Sequence, residues 1–372
     1  MSKSSEAMSR FHAIIPAGGV GSRLWPLSRA SAPKFLHDLT GSGQTLLQDT
    51  WDRLIPLAGK EHILIVTGES HQSAVRDQIE DLSDNQLVLE LSPKDSTAAI
   101  VLAAAILAQR DPEVIVGSFA ADHVILEDAM FQATVREAVE VAATGKIVTI
   151  GIKPTEPSVG FGYIKTGDAL KVEGAPSARD VAKFVEKPNI AKARKYVESG
   201  NYLWNAGMFI AKASVLIEEL KKSEPELCAS ILELAAAWDT DARASVVKKI
   251  WPTLKKVAID YSIAEPAAEA GLVAVVPAEF TWHDVGDFAA IAELQSQGRR
   301  GNLAVLGNAK VLADSSSGIL VSDTDRLIAL IGLEDVIVVD TPDALLVTTK
   351  EHAQRVKSLV DALKATGHSD LL

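Results

Sequence analysis

The chain has 372 residues, 47% of them hydrophobic, and 49 acidic against 37 basic side chains give a net charge of −12. This is enough apolar material for one large domain and a smaller one, while the acidic balance opposes nonspecific binding to nucleic acid or anionic membranes, which need basic surface. The longest apolar run, 98–108, is too short to span a bilayer, the single Cys228 excludes an internal disulfide, and residues 1–10 carry no secretory signal, so a cytoplasmic protein with a loose tail over 1–10 is expected.

From residue 12 onward, short apolar runs alternate with longer helical patterns. Strands are predicted at 12–16, 62–67, 86–91, 114–119 and 146–152, and helices at 45–57, 70–82, 97–109 and 129–143. Such alternation is the sign of βαβ units and of a mixed, mainly parallel sheet, an α/β fold of nucleotide-binding type. Between 153 and 298 the pattern changes to strands near 160–166 and 181–185, then helices through 213–249, where an acceptor substrate has room to be read. From 302 to 349, short strands are separated by turn clusters at 314–318, 322–325, 332–335 and 340–343, which predicts a small β domain. An amphipathic helix over 350–365 closes the chain.

The strand at 12–16 runs into Ala17, Gly18, Gly19, Val20, Gly21, Ser22 and Arg23. Glycines allow a tight turn and leave backbone N–H groups unshielded, a geometry that cradles phosphate oxygens. Arg23 offers a planar fork of donors and Lys34, after Pro33, a compact cation. Spacing excludes a dinucleotide fingerprint, because Leu24 stands where a third glycine belongs, and the lysine is too distant for a Walker loop. Alone, the loop also admits the plainer reading of a glycine turn with solvent-facing cations, though the phosphate cradle fits it better.

Asp122 follows the strand at 114–119, at the carboxyl edge of the expected sheet, where ligands bind in open α/β folds. Asp284 sits between an apolar strand and a helix starting near Phe288. Two carboxylates from distant loops suit Mg²⁺ while leaving coordination sites for phosphate oxygens; each also reads plainly as a turn or helix cap. His123 and His283 have no second histidine at ligand spacing, which argues against zinc. Glu186 and Lys187, ending a strand before Pro188, are expected on opposite faces, one for hydroxyls and one for a phosphate, or else as a solvated pair. Asn205 offers a donor and an acceptor to a sugar hydroxyl, while Trp204 and Phe209 read as core.

Taken in order, the runs 17–29 (AGGVGSRLWPLSR), Pro33-Lys34, 121–125 (ADHVI), 151–155 (GIKPT), 184–188 (FVEKP) and 204–209 (WNAGMF) resemble the mannose-1-phosphate guanylyltransferases, a family of sugar nucleotidylyltransferases. The resemblance covers nearly the whole chain. It implies a Rossmann-like nucleotidylyltransferase domain over 11–299, a left-handed β-helix-like region with closing helix over 300–372, a homodimer, and GMP transfer from GTP to mannose 1-phosphate with Mg²⁺. By motif, it assigns GTP to Ala17, Gly18, Gly19, Gly21 and Ser22, with Pro93, Ser96 and Thr97 near the guanine and ribose. Catalysis falls to Arg23 and Lys34, the metal to Asp122 and Asp284, and the sugar phosphate to Gly162, Glu186, Lys187 and Asn205.

Departures from the family pattern are a missing glutamine between Lys34 and Phe35, Pro266 where a lysine is usual, and Phe161 within the run 160–163. Alternatives remain a transferase for another hexose 1-phosphate or nucleotide, or a catalytically silent regulatory relative.

Overall fold

The computed structural model describes residues 3–296 and 302–372. The domain boundary expected at 299/300, and the first two residues of the expected tail, lie outside them. In chain order the structure runs α1 (Lys3–Ser9), β1 (Phe11–Ala17), α2 (Leu46–Ala58), β2 (Ile63–Gly68), α3 (Gln72–Gln78), β3 (Leu87–Glu90), α4 (Ser96–Arg110) and β4 (Ile115–Ser118). It continues with β5 (Val124–Ile125), α5 (Asp128–Ala143), β6 (Ile147–Ile152), β7 (Tyr163–Ala169), β8 (Arg179–Val185), α6 (Ile190–Ser199) and β9 (Tyr202–Lys212). Then come α7 (Ala213–Ser223), α8 (Pro225–Trp238), α9 (Arg243–Ile250), α10 (Glu265–Glu269), β10 (Val273–Pro277), β11 (Trp282–His283) and α11 (Phe288–Ser296).

Among the described residues, nine strands form one sheet in the order β3-β2-β1-β4-β9-β6-β10-β8-β7. β8 and β9 run against the others, so the sheet is mixed with most strands parallel, as expected. α4 is buried from Thr97 to Leu107, because α7 and α8 cover the side that faces away from the sheet; its five buried alanines let those helices approach closely.

Two expectations change. Residues 3–9 form a helix rather than a loose tail: Ala7 is buried in the same core as Phe11 and the inner residues of α5, and that apolar burial holds the segment down. The helix expected over 70–82 is shorter, preceded by a 3₁₀ turn at Glu69–His71 and ended where Ile79 turns extended to reach the core.

After residue 302 the chain coils through β12 (Leu303–Gly307), β13 (Lys310–Asp314), β14 (Gly318–Ser322), β15 (Leu327–Ile331), β16 (Val336–Asp340) and β17 (Leu345–Thr349). Alternate strands pair in parallel, β12-β14-β16 on one wall and β13-β15 on another, which is a β-helix. Its rungs pass so close that a Cβ on Gly318 would collide with the Val336 carbonyl oxygen. A 3₁₀ turn and α12 (Val356–Ala365) close it. One wall, through Ile319, Val321, Ile337 and Val339, shares a core with Leu24, Leu27, Val285 and Phe288 of the first domain.

Candidate active site

β1 and β4 are parallel neighbours, so the chain leaves both on the same edge of the sheet. From β1 emerges the glycine loop, and from β4 the turn carrying Asp122. β5 then pairs antiparallel with β11, setting Val124 opposite His283, which brings Asp284 beside Asp122. Between the two lies the Lys34 ammonium, 3.0 Å from Asp122 Oδ2 and 3.5 Å from Asp284 Oδ1, on a side chain only 6% exposed. Burial alone favours the neutral amine, but the two carboxylates outweigh it and hold Lys34 above the ordinary lysine range. The same ammonium outweighs burial at Asp122 and holds it below the usual carboxylate range.

Lys34–Leu36 forms one 3₁₀ turn straight after Pro33, and that turn seats the lysine without the glutamine. Gly21, at φ 70°, passes directly over the lysine, and a Cβ there would lie 2.7 Å from Lys34 Cβ. Ala17 is fully buried and offers only backbone. Arg23 lies exposed in the short turn Ser22–Leu24, with no ion-pair partner among the described residues.

One ligand atom each from Asp122, His123 and Asp284 lie within 4.8 Å of one another. Two carboxylates and an imidazole in that span are a donor set that fits a divalent cation. Burial pushes the His123 ring toward its neutral form, and its Nδ1 is buried without a partner.

A second cluster forms around Asn205 on β9. Asn205 is buried; its Oδ1 accepts from Thr149 Oγ1 at 2.7 Å and from the Gly207 amide at 3.1 Å, and its Nδ2 donates to Asp260 Oδ1 at 2.9 Å. Gly162 abuts it, where a Cβ would sit 2.5 Å from Glu186 Oε2. Here the strand-alternation expectation fails. β8 ends at Val185, Lys187 has φ 42°, and its ammonium folds back to Glu186 Oε1 at 2.9 Å. The pair points into one cluster because alternation ends with the strand.

His123, Trp282, Phe161 and Trp204 bridge the two clusters in sequence, with ring centroids 5.3, 5.2 and 5.0 Å apart. Trp204 and Phe209 are core, as expected. At the residues expected near the guanine and ribose, Asp95 caps α4 and Ser96 Oγ accepts from the Ile259 amide at 2.9 Å. Thr97 is fully buried, its hydroxyl paired with Ser262 Oγ at 2.8 Å and its amide with the Val257 carbonyl. Its side chain therefore braces the wall from behind, because burial of α4 begins at Thr97, one residue past its partly exposed start.

Residues 12–300 match the nucleotidyl transferase family, and residues 308–363 match the MannoseP isomerase/GMP-like beta-helix domain. The chain belongs to the nucleotidyl transferase family. It is 38% identical to the xanthan biosynthesis protein XanB of Xanthomonas campestris pv. campestris, over 98% of this chain and 75% of that one. It is 35% identical to the mannose-1-phosphate guanylyltransferase of Escherichia coli (strain K12), over 98% and 76%. A solved structure described as a "mannose-1-phosphate geranyltransferase" from Thermus thermophilus superposes with a TM-score of 0.83 at 28% identity, covering 95% of this chain and 99% of that one.

Within this nucleotidyl transferase, the segment 257–265 is the part that sequence reasoning underused. A π-helical turn at Asp260–Ala264 leads into α10, whose second residue is Pro266. That turn sends Asp260 to Asn205 and Ser262 to Thr97, and Glu265 accepts the Glu186 amide at 3.1 Å. Burial, and then the Glu186 charge, push Asp260 up to about 7. Glu90, beside Asp95, is likewise pushed up to about 7 by burial. Asp260 and Glu265 were visible in the sequence, but only the turn geometry shows that they face the site. His123 was visible too, set aside for want of a histidine partner when its partners are carboxylates.

Proposed function

We propose that this transferase moves GMP from GTP to mannose 1-phosphate, releasing pyrophosphate and forming GDP-mannose. The observation that carries the reading is the Lys34 ammonium held between Asp122 and Asp284 under a glycine loop, at the sheet edge where two polyanions have to meet. A phosphate oxygen of mannose 1-phosphate attacks the α-phosphorus of GTP in line. The bond from that phosphorus to the β-phosphate bridging oxygen breaks, and pyrophosphate leaves with the electron pair. The nucleophile is already an anion, so no base is required, and catalysis is positioning plus neutralisation of charge on the transferred group.

In this reading the glycine-loop amides hold the triphosphate, with Pro93 and Ser96 on the nucleoside side, and Arg23 and Lys34 meet the charge developing at the α-phosphate. Asp122 and Asp284 hold Mg²⁺, which supplies further neutralisation of phosphate oxygens when bound. Lys187 takes the sugar phosphate, and Glu186 a sugar hydroxyl beside Gly162. Asn205 keeps one N–H beyond its three internal bonds for a second hydroxyl. We further propose a homodimer in the cytoplasm, divided into a catalytic domain over 11–299 and a β-helix region over 300–372; among the described residues no helix is long and apolar enough to cross a membrane.

The test is pyrophosphate release from GTP, mannose 1-phosphate and Mg²⁺, run beside ATP, dTTP and glucose 1-phosphate. The expected result is a preference for the first pair of at least tenfold in kcat/KM. Equal rates with the controls overturn the substrate assignment, and no release with any pair overturns the enzyme reading.

A further inference from the structure

The run Trp25-Pro-Leu-Ser-Arg29, just past the phosphate loop, has no part in the chemistry above, yet it is tied more firmly than the loop itself. Leu24 and Leu27 are 1% and 7% exposed, packed in the core shared with Ile319, Val321, Ile337 and Val339 of the β-helix. The Trp25 indole N–H donates to the Leu371 carbonyl oxygen at 2.7 Å. The Arg29 guanidinium holds its own turn through Nε to the Pro26 carbonyl at 2.7 Å. It also reaches Asp343 with both other nitrogens, Nη2 to Oδ1 at 2.7 Å and Nη1 to Oδ2 at 3.2 Å. This two-pronged pairing fixes orientation as well as distance. Asp343 lies between β16 and β17 and is itself positioned by Thr341 Oγ1 at 3.0 Å.

The opposite wall of the site is fastened to the same region. Val285, the neighbour of Asp284, is 1% exposed in that shared core. Asp287 caps the start of α11 by accepting the Ala290 amide at 3.0 Å, and the Gln354 side-chain amide donates to its other carboxylate oxygen. Gln354 belongs to the turn that follows β17. The strands that launch the two loops, β1 and β11, lie in separate sheets, so strand pairing does not by itself lock one loop against the other.

We propose that the β-helix is a positioning element of the transfer reaction: through Asp343 on one side and Gln354 on the other, it sets the distance between the loop bearing Arg23 and the loop bearing Asp284. Asp343, Arg29 and Gln354 are positioning residues that touch no reacting atom. This inference rests on the reading of the glycine loop as the triphosphate site. The physical reason to expect an effect on rate is that an in-line transfer loses about a hundredfold for a misplacement of about 1 Å.

The test uses the full chain and compares Asp343→Asn, Arg29→Lys, Gln354→Leu, the single reversals Arg29→Asp and Asp343→Arg, and the two reversals combined as a charge exchange. Readouts are kcat, KM for each substrate measured separately, and melting temperature. The expected result for Asp343→Asn is a fall of about tenfold or more in kcat/KM for GTP. KM for mannose 1-phosphate stays within about twofold and the melting temperature within a few degrees, because a partly exposed ion pair contributes little to stability. The charge exchange is expected to recover most of what either single reversal loses.

Unchanged kcat/KM for GTP in Asp343→Asn and Gln354→Leu overturns the proposal. So does activity that falls only in step with melting temperature. Arg23→Ala separates the two failures: if it is inactive while the Asp343 variants are normal, only this inference fails, and if it keeps full turnover, the loop assignment fails with it.

Discussion

Replacing Lys34 by methionine keeps an unbranched stem of similar length beneath Gly21 and removes only the charge at its end. In the structure that charge lies 3.0 Å from Asp122 and 3.5 Å from Asp284. Breaking a fully buried pair costs about 3–5 kcal/mol. Here the carboxylates keep 31% and 43% of their side-chain surface exposed, so water re-solvates them and a stability loss of about 1–2 kcal/mol is expected. The catalytic loss is larger, because the ammonium meets charge that develops on the transferred group. Loss of one such preorganised donor lowers turnover by about 10²–10³.

A second readout follows from the same geometry. Without the ammonium, Asp122 and Asp284 repel each other unless a cation lies between them, so added Mg²⁺ should raise the melting temperature of Lys34→Met more than that of the parent. Steady-state pyrophosphate release and thermal melts with and without Mg²⁺ measure both effects. Turnover within about threefold of the parent, in a variant that melts cooperatively, refutes the assignment of Lys34. Equal Mg²⁺ stabilisation of the two proteins refutes the competition argument.

Asp260 has a folded pKa raised by burial from 3.8 to about 7, so its ionisation costs stability once pH rises past the unfolded value near 4, and the full cost is present above about 7. Asp260→Asn, which keeps an oxygen for Asn205, should therefore stabilise the protein by up to about 4 kcal/mol at pH 8, roughly three pKa units at about 1.4 kcal/mol each, and by almost nothing at pH 4; urea unfolding at the two pH values checks this, and an equal effect at both refutes it. Gly162→Ala places a Cβ 2.5 Å from Glu186 Oε2 and should raise KM for mannose 1-phosphate about tenfold, since a missing or displaced polar contact is worth about 1–1.5 kcal/mol. Gly160→Ala meets only the Ser158 hydroxyl at 3.5 Å and should leave KM unchanged; similar KM values in the two variants count against the sugar-phosphate site. Gly318→Ala collides with the Val336 carbonyl oxygen and has φ 130°, so urea unfolding should show a loss of more than about 3 kcal/mol. A loss below about 1 kcal/mol means the β-helix rungs sit less tightly than described.

Where periodicity ran long, the sequence was sufficient. The strands at β1, β2, β4 and β6 and the helices α2, α4 and α5 fall within a residue or two of their expected places, because their apolar spacing and caps, such as the Thr45–Gln48 capping box, are local properties. The same holds for the turn clusters of the β-helix, whose spacing alone announced a small β domain. Lys34, Asp122 and Asp284 were picked out as well, since a charged residue beside a sheet edge or in a glycine-rich turn stands out without any coordinates.

Their mutual arrangement was not legible. It depends on β5 pairing with β11 across more than 150 positions, on a positive φ at Lys187 that cancels strand alternation, and on a π-helical turn that aims Asp260 at Asn205. Nor could the sequence show that Arg29 answers to Asp343, 314 positions away. Hydrophobic periodicity and capping are written residue by residue, so the sequence by itself determined the elements and the chemical character of the site. Which charges meet is decided by long-range strand pairing and by backbone angles at single residues, and only the tertiary structure holds that information.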